Sequence, residues 1–293
     1  MMNTRDFEYF VQLVDLKSFS AVAKVFRVSQ PTVSLSLKRL EEQYGIELIH
    51  RDRSHNTLTV TAAGEQLATH ARSILSELRQ TQQDLDALQV TTVRLGLPPI
   101  IGNYYFPKLI PHLVNNGSMD HLQTIEGGSG NLLKRLRAGE LDMALLGSVG
   151  PLVADDLQVE QLFARPFAII AAPQRKVGQD GAVAFAQLVG EPFVALGEQY
   201  VHAQAFRALN HSAGVRQRVV FRSDDVSLIK TMVHQDVGIA LLTDLAVTPE
   251  DHLQLIRLTD PGQPLFTVSL VRRQNQLTTP MQRKVMRALI QAE

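Results

Sequence analysis

No cysteine occurs among the 293 residues. A chain without thiols can build neither a disulfide framework nor a thiolate metal site. It also lacks an excess of either charge: 29 Lys and Arg stand against 29 Asp and Glu, for a net charge of zero. There is thus no global basic footprint, and any case for nucleic acid must come from local pattern. No stretch approaches the run of about 18 uninterrupted apolar residues that a membrane-spanning helix needs. The opening MMNTRDFEYF carries an early acid and no apolar run, unlike a secretory signal, so a cytoplasmic location is expected. The nine histidines are scattered, with no metal-ligand spacing beside a paired acid. No metal or cofactor is expected.

The length exceeds one typical domain, which favours a small module joined to a larger one. Phe7, Phe10, Val11 and Val14 recur at helical spacing. Ser18 opens a second short helix, Ala21 to Phe26, and a turn at Arg27-Val28 leads to Ser29, a good N-cap. Val33, Leu37, Leu40 and Tyr44 then form one stripe, which Gly45 ends. Two short helices on a tight turn follow the helix-turn-helix plan, in which the second helix enters the major groove by its N-terminal end. Its other face carries Pro31, Leu35 and Lys38, flanked by Thr32, Ser34 and Arg39. Gln30, Thr32 and Ser34 can hydrogen-bond bases or phosphates, and Leu35 can meet a thymine methyl. Spacing alone leaves open an ordinary helical pair with a solvated face. The segment after it, HRDRSHN leading into Leu58-Thr59-Val60, reads as a β-wing with Arg51 and Arg53 near its tip, placed for the phosphate backbone.

These residues carry a family resemblance. SFSAVAKVFRVSQPTVSLSLKRLEEQYGIELIHRDRSHNTLTVTAAG is similar to the DNA-binding segment of LysR-type regulators, with SQPTVS, LE, G, L, R and LT…AG in register. The resemblance implies DNA contact at Ser29, Gln30, Pro31, Thr32, Ser34 and Lys38, with Arg51 and Arg53 in the wing. Two positions depart from it. Many members have arginine where Leu35 stands and phenylalanine where Ile49 stands. The first removes a polar contact, so operator preference cannot be copied from arginine-bearing relatives.

After Gly64 neither proline nor glycine occurs until Gly96. Leu67, Ala71, Ile74, Leu78, Thr81, Leu85 and Leu88 recur at alternating steps of 4 and 3, a heptad seam. The expected domains are a winged helix-turn-helix over 1–60, a dimerising linker helix over 61–91 and an effector-binding domain over 92–293. A dimer would present two recognition helices and demand paired half-sites on double-stranded DNA. The resemblance adds a homotetramer as an alternative to the homodimer, and RNA polymerase as a candidate partner.

From Thr92 strands alternate with helices, which predicts parallel sheets and a cleft at the strand carboxyl ends. Strands are expected at 93–97, 121–125, 141–146, 159–163, 167–171, 193–196, 219–221, 239–242 and 267–271. Helices are expected from near Asn103, over 132–136, 201–211 and 226–234, and finally over 281–290. The fold class is α/β: a winged helix-turn-helix, a coiled-coil linker helix and a two-lobed effector domain resembling periplasmic binding proteins. Lobe I would hold 92–163 and 266–293, and lobe II 164–265. Loops at Pro99, Ile100, Gly102 and Asn103, at Gly128-Ser129 and at Gly147-Ser148 would place backbone N–H groups of helix starts toward an anion. Within the LysR family, GLPPIIGNYYFPKLIPHL resembles the regulators of malolactic fermentation, whose effector is L-malate. A dicarboxylate needs polar or cationic donors, for which His202, Arg222 and Ser223 are candidates beside Ser129 and Ser148.

Catalysis finds no support. GGSGN is no nucleophile elbow, since Asn131 stands where the second framing glycine belongs. The same loop lacks the third glycine of a dinucleotide fingerprint, and there is no phosphate-binding Walker loop. The alternative from another class is a cytoplasmic solute-binding or catalytic protein with a fused helix-turn-helix.

Overall fold

A computed structural model describes residues 3–52, 57–87 and 92–290, which divide into two compact units, Met1–Asp86 and Ala87–Glu293. The first unit begins with α1 (Thr4–Leu16), α2 (Phe19–Phe26) and α3 (Gln30–Tyr44). Each start is capped by a short polar side chain, Asn3, Ser18 and Ser29, accepting from an otherwise orphaned N–H of its first turn. Phe19 is already helical, earlier than the expected start at Ala21. Phe7, Phe10, Val33, Leu37 and Leu40 are buried together, whereas Tyr44, the last of the expected stripe, is exposed. Gly45 ends α3 at φ 65°, a left-handed conformation that glycine adopts without a Cβ penalty.

β1 (Ile49–Asp52) and β2 (Thr57–Val60) pair antiparallel as the wing. Arg51 lies on β1; Arg53 lies outside the described residues. Beneath α3 sits a contact that no local pattern announces. Asp6, 2% exposed, accepts from Ser36 Oγ at 2.7 Å and from the Arg39 guanidinium, tying α1 to α3. Burial pushes this carboxyl up, but the bonds from Arg39 and Ser36 outweigh it and hold it below the usual range.

α4 (Ala62–Ala87) uses two faces. Ala68, Ala71 and Leu75 are buried in the core of the first unit, with Leu67 packed against it. Ile74, Leu78 and Leu85 are 42%, 47% and 50% exposed. The expected seam is therefore corrected: Leu67 and Ala71 serve the helix's own domain, and the exposed apolar row starts at Ile74. Leu88 lies outside the described residues.

The second unit opens with β3 (Val93–Leu97), α5 (Pro99–Tyr104), α6 (Phe106–Asn115), β4 (Leu122–Glu126), α7 (Ser129–Arg137) and β5 (Met143–Val149). Then β6 (Leu157–Ala171) crosses to a second lobe of β7 (Ala182–Val183), β8 (Pro192–Leu196), α8 (Val201–Ser212), β9 (Arg218–Ser223), α9 (Val226–His234), β10 (Ala240–Thr243) and β11 (Gln254–Leu258). β12 (Leu265–Arg273) returns the chain to the first lobe, and α10 (Pro280–Ile290) follows.

The sheets are mixed and not simply parallel as expected. β3 pairs parallel with β4 and β5, but β12 is antiparallel to both β5 and β6. In the second lobe β6 is antiparallel to β10 and β11, while β8 and β9 run parallel. The two strands expected at 159–163 and 167–171 are one continuous strand, and β11 was not foreseen. The expected loop from Pro98 to Gly102 is helical from Pro99, because proline suits the first helical position, where no N–H is needed.

Candidate functional site

The expected recognition surface is the N-terminal half of α3. Ser29 caps it, its Oγ accepting from Thr32 N–H at 3.3 Å and lying 2.8 Å from Thr32 Oγ1. With the cap bond and proline filling the first turn, Gln30, Pro31 and Leu35 are left exposed on one face, Leu35 at 55%. Ser34 is half-buried beside them. Lys38 extends the face and meets Glu42 at 3.4 Å. Such an exposed pair contributes little and exchanges readily for a phosphate.

In the second unit the parallel strands β3, β4 and β5 end on one edge, where ligand sites of open α/β sheets form. The helices that start there differ from those of the first unit. The N-caps of α7 and α8 are Gly128 and Tyr200, and neither offers a side-chain bond. The amide N–H groups of Ser129 and Gly130, and of Val201 and His202, have no acceptor among the described residues. These two starts, one per lobe, lie close together. A Cβ on Gly128 would stand 3.5 Å from the Gln199 carbonyl oxygen, and one on Gly147 would enter the Phe266 ring, which packs 5.6 Å from the His202 ring. Gly147 thus lets β5 approach β12 closely beneath the cleft.

Several expected contacts are corrected. The Gly102 N–H donates to Pro98 carbonyl at 2.8 Å and is unavailable to an anion. Ile100 is buried in the core, Pro99 begins α5, and Asn103 is exposed near its end. Gly147 and Ser148 lie inside β5, not in a loop, and Ser148 Oγ donates to Gly150 carbonyl at 2.6 Å. Ser129 Oγ accepts from Gly147 N–H at 3.1 Å, which joins α7 to β5. Arg222 pairs with Glu198 at 3.0 Å and donates to Leu196 carbonyl, lining a separate groove between α8 and β9. Ser223 Oγ accepts from Asp225 N–H at 3.0 Å.

His202 is a buried wedge between Phe167 of β6 and Phe266 of β12. Its Nε2 accepts from Thr243 N–H at 3.2 Å, so the ring proton resides on Nδ1. Burial pushes its pKa from 6.5 down to about 3, and it cannot be a cationic partner near neutrality. The unfolded chain binds this proton first, so stability is present above 6.5 and is lost as pH falls toward about 3. His202→Gln should flatten the decline in melting temperature across that window. An equally steep decline would assign it to other groups.

Residues 4–65 match the family model described as bacterial regulatory helix-turn-helix protein, lysR family, and residues 86–293 match the LysR substrate binding domain. The chain belongs to the LysR family. LysR proteins of this kind are DNA-binding transcriptional regulators and not enzymes, which removes the catalytic alternative. The malolactic fermentation system transcriptional activator of Lactococcus lactis is 34% identical over 98% of each chain. The hydrogen peroxide-inducible genes activator of Escherichia coli O6:H1 is 29% identical, over 93% of this chain and 90% of its own. Full-length OxyR from Pseudomonas aeruginosa has the same fold, with a TM-score of 0.58 at 23% identity, covering 100% of this chain and 99% of that one. No described helix of this LysR regulator is long and apolar enough to cross a membrane, and no described group of His, Asp and Glu is placed to hold a metal.

Proposed function

We propose that this LysR regulator binds paired half-sites on duplex DNA as a dimer or a dimer of dimers, under control of a small dicarboxylate, L-malate first. The observation that carries the effector reading is the pair of uncapped helix starts, α7 and α8, brought close together from the two lobes. Each offers two free N–H groups and the positive end of a helix dipole to one carboxylate. Two such ends suit a diacid better than a monoacid. The likeness to the malolactic activator supports the same choice. A peroxide response through thiol oxidation is closed to this chain, which has no cysteine. Calorimetry with malate, succinate, citrate and malate diamide tests the reading. Binding of the acids and not of the diamide supports it; binding of the diamide alone refutes it.

On the DNA side, changing Gln30 and Thr32 together should alter sequence preference, because both sit at the start of α3. Arg51→Ala and Arg53→Ala should weaken all sites alike, and each should reduce the salt slope by about one unit, the share of one neutralised phosphate. Anisotropy titrations at several salt concentrations read both effects. Unchanged preference in the Gln30/Thr32 variant would remove these residues from base readout.

A further inference from the structure

An ionised carboxylate is costly to bury, and Asp6 is sealed at 2% exposure. It is held from α3. Ser36 Oγ donates to Oδ1 at 2.7 Å, and Arg39 grips both oxygens with its Nε and Nη2, Nε at 3.2 Å from Oδ2. The arginine is not buried with it: its side chain is 52% exposed, and Nη1 has no partner among the described residues. A guanidinium offers five N–H groups, and this side-on grip uses two of them, which leaves the outer end of the fork open. Residues 32, 35 and 39 recur at steps of three and four, so Arg39 shares a stripe of α3 with Thr32 and the exposed Leu35. Apolar side chains of similar volume would join α1 to α3 at no desolvation cost, so the tie between helices does not by itself account for a buried charge.

We infer that Asp6 is a positioning residue for DNA binding: it fixes the Arg39 guanidinium so that the free end takes a phosphate beside the groove that α3 enters. The inference rests on α3 being the recognition helix. An arginine held in advance loses less rotamer freedom on contact than a free one, so the same charge binds more tightly and in one register. The arrangement also separates charge from geometry. Asp6 is an anion, and on charge alone its removal would strengthen binding to any duplex. As the anchor of Arg39, its removal weakens binding to the site that fits the fixed geometry.

Anisotropy titrations of the full chain test this, on a duplex that the parent protein selects from a random-sequence pool and on a scrambled duplex of the same length. Arg39→Gln should weaken the selected duplex about tenfold and lower the salt slope by about one unit per half-site. Arg39→Lys, which keeps the charge and loses the fork, should weaken it several-fold with the slope kept. Asp6→Asn should weaken the selected duplex several-fold, while the scrambled one binds as well as before or better. The double variant Asp6→Asn/Arg39→Gln replaces the ion pair by a neutral hydrogen-bonded tie. It should keep the parent's melting temperature and still bind the selected duplex about tenfold more weakly. Parent-like affinity in that variant would make the contact a packing tie and overturn the inference, as would tighter binding of both duplexes by Asp6→Asn. Parent-like affinity in the Arg39 variants, beside altered preference in the Gln30/Thr32 variant, would overturn it and spare the recognition helix. Unaltered preference there, with the Arg39 effects as expected, would remove α3 from base readout and leave the phosphate contact standing.

Discussion

Aspartate at Ile74 or Leu78 is expected to split the assembly into monomers at low micromolar concentration, as read by sedimentation or light scattering. Both side chains are 42–47% exposed in the single chain, so the fold of the first unit does not rest on them. Ala68, Ala71 and Leu75, on the neighbouring stripe of α4, already complete the local core. An apolar row left about half exposed among the described residues, Ile74 and Leu78 continued by Leu85 at heptad steps, is what a second copy of the helix would bury. Placing a carboxylate there without a partner costs several kcal/mol, which is comparable with the whole stability of a typical domain. Because the residues are exposed in the monomer, the variants should keep native circular dichroism while losing mass. Affinity for a paired operator should fall by about two orders of magnitude or more, since each half-site must then be bound independently. A variant that stayed fully assembled would place the interface elsewhere.

The same helix shows what the sequence could and could not convey. The step pattern of α4 is legible, but periodicity does not say which of two adjacent stripes faces the chain's own core. That is decided by where α1 and the wing lie, and it moved Leu67 and Ala71 from the dimer seam into the domain. Local signals were dependable where chemistry is local: the Ser29 cap, the Gly45 stop and the span of α9, whose Asp225 caps it. Proline stands at two places where the structure differs from expectation. In β6, Pro166 falls between the two expected strands at 159–163 and 167–171, yet it sits inside one strand, where that strand leaves one sheet and enters the other. It pairs there with Leu265 on one side only, so its missing N–H breaks no second ladder. At Pro99 the missing N–H favoured a helix start, not a loop. The candidate donors failed for a different reason. Arg222 is drawn off by Glu198, and His202 is buried by Phe167 and Phe266, pairings between segments far apart in sequence that no local pattern reports. What survives of the cleft is backbone, not side chain.

That makes Gly128 the position where the cleft is most exposed to a single change. Gly128→Leu is expected to reduce malate affinity by about a hundredfold or more, while Gly128→Ala changes it little. The backbone there, φ −66° and ψ 147°, is an extended conformation open to any L residue, so the loss cannot be laid to strain. A Cβ alone finds ordinary contact at 3.5 Å from the Gln199 carbonyl, and alanine therefore fits. The further carbons of leucine have to enter the gap between the starts of α7 and α8, where the carboxylates would lie. Affinity for DNA in the absence of effector should be unchanged, because residue 128 belongs to the second unit and the recognition helix to the first. The melting temperature of the unliganded protein should move little, whereas the rise that malate gives the parent chain should vanish from the leucine variant. Parent-like malate binding by Gly128→Leu would show that the anion sits away from the α7 start, and the two-helix account of the effector site would fall with it.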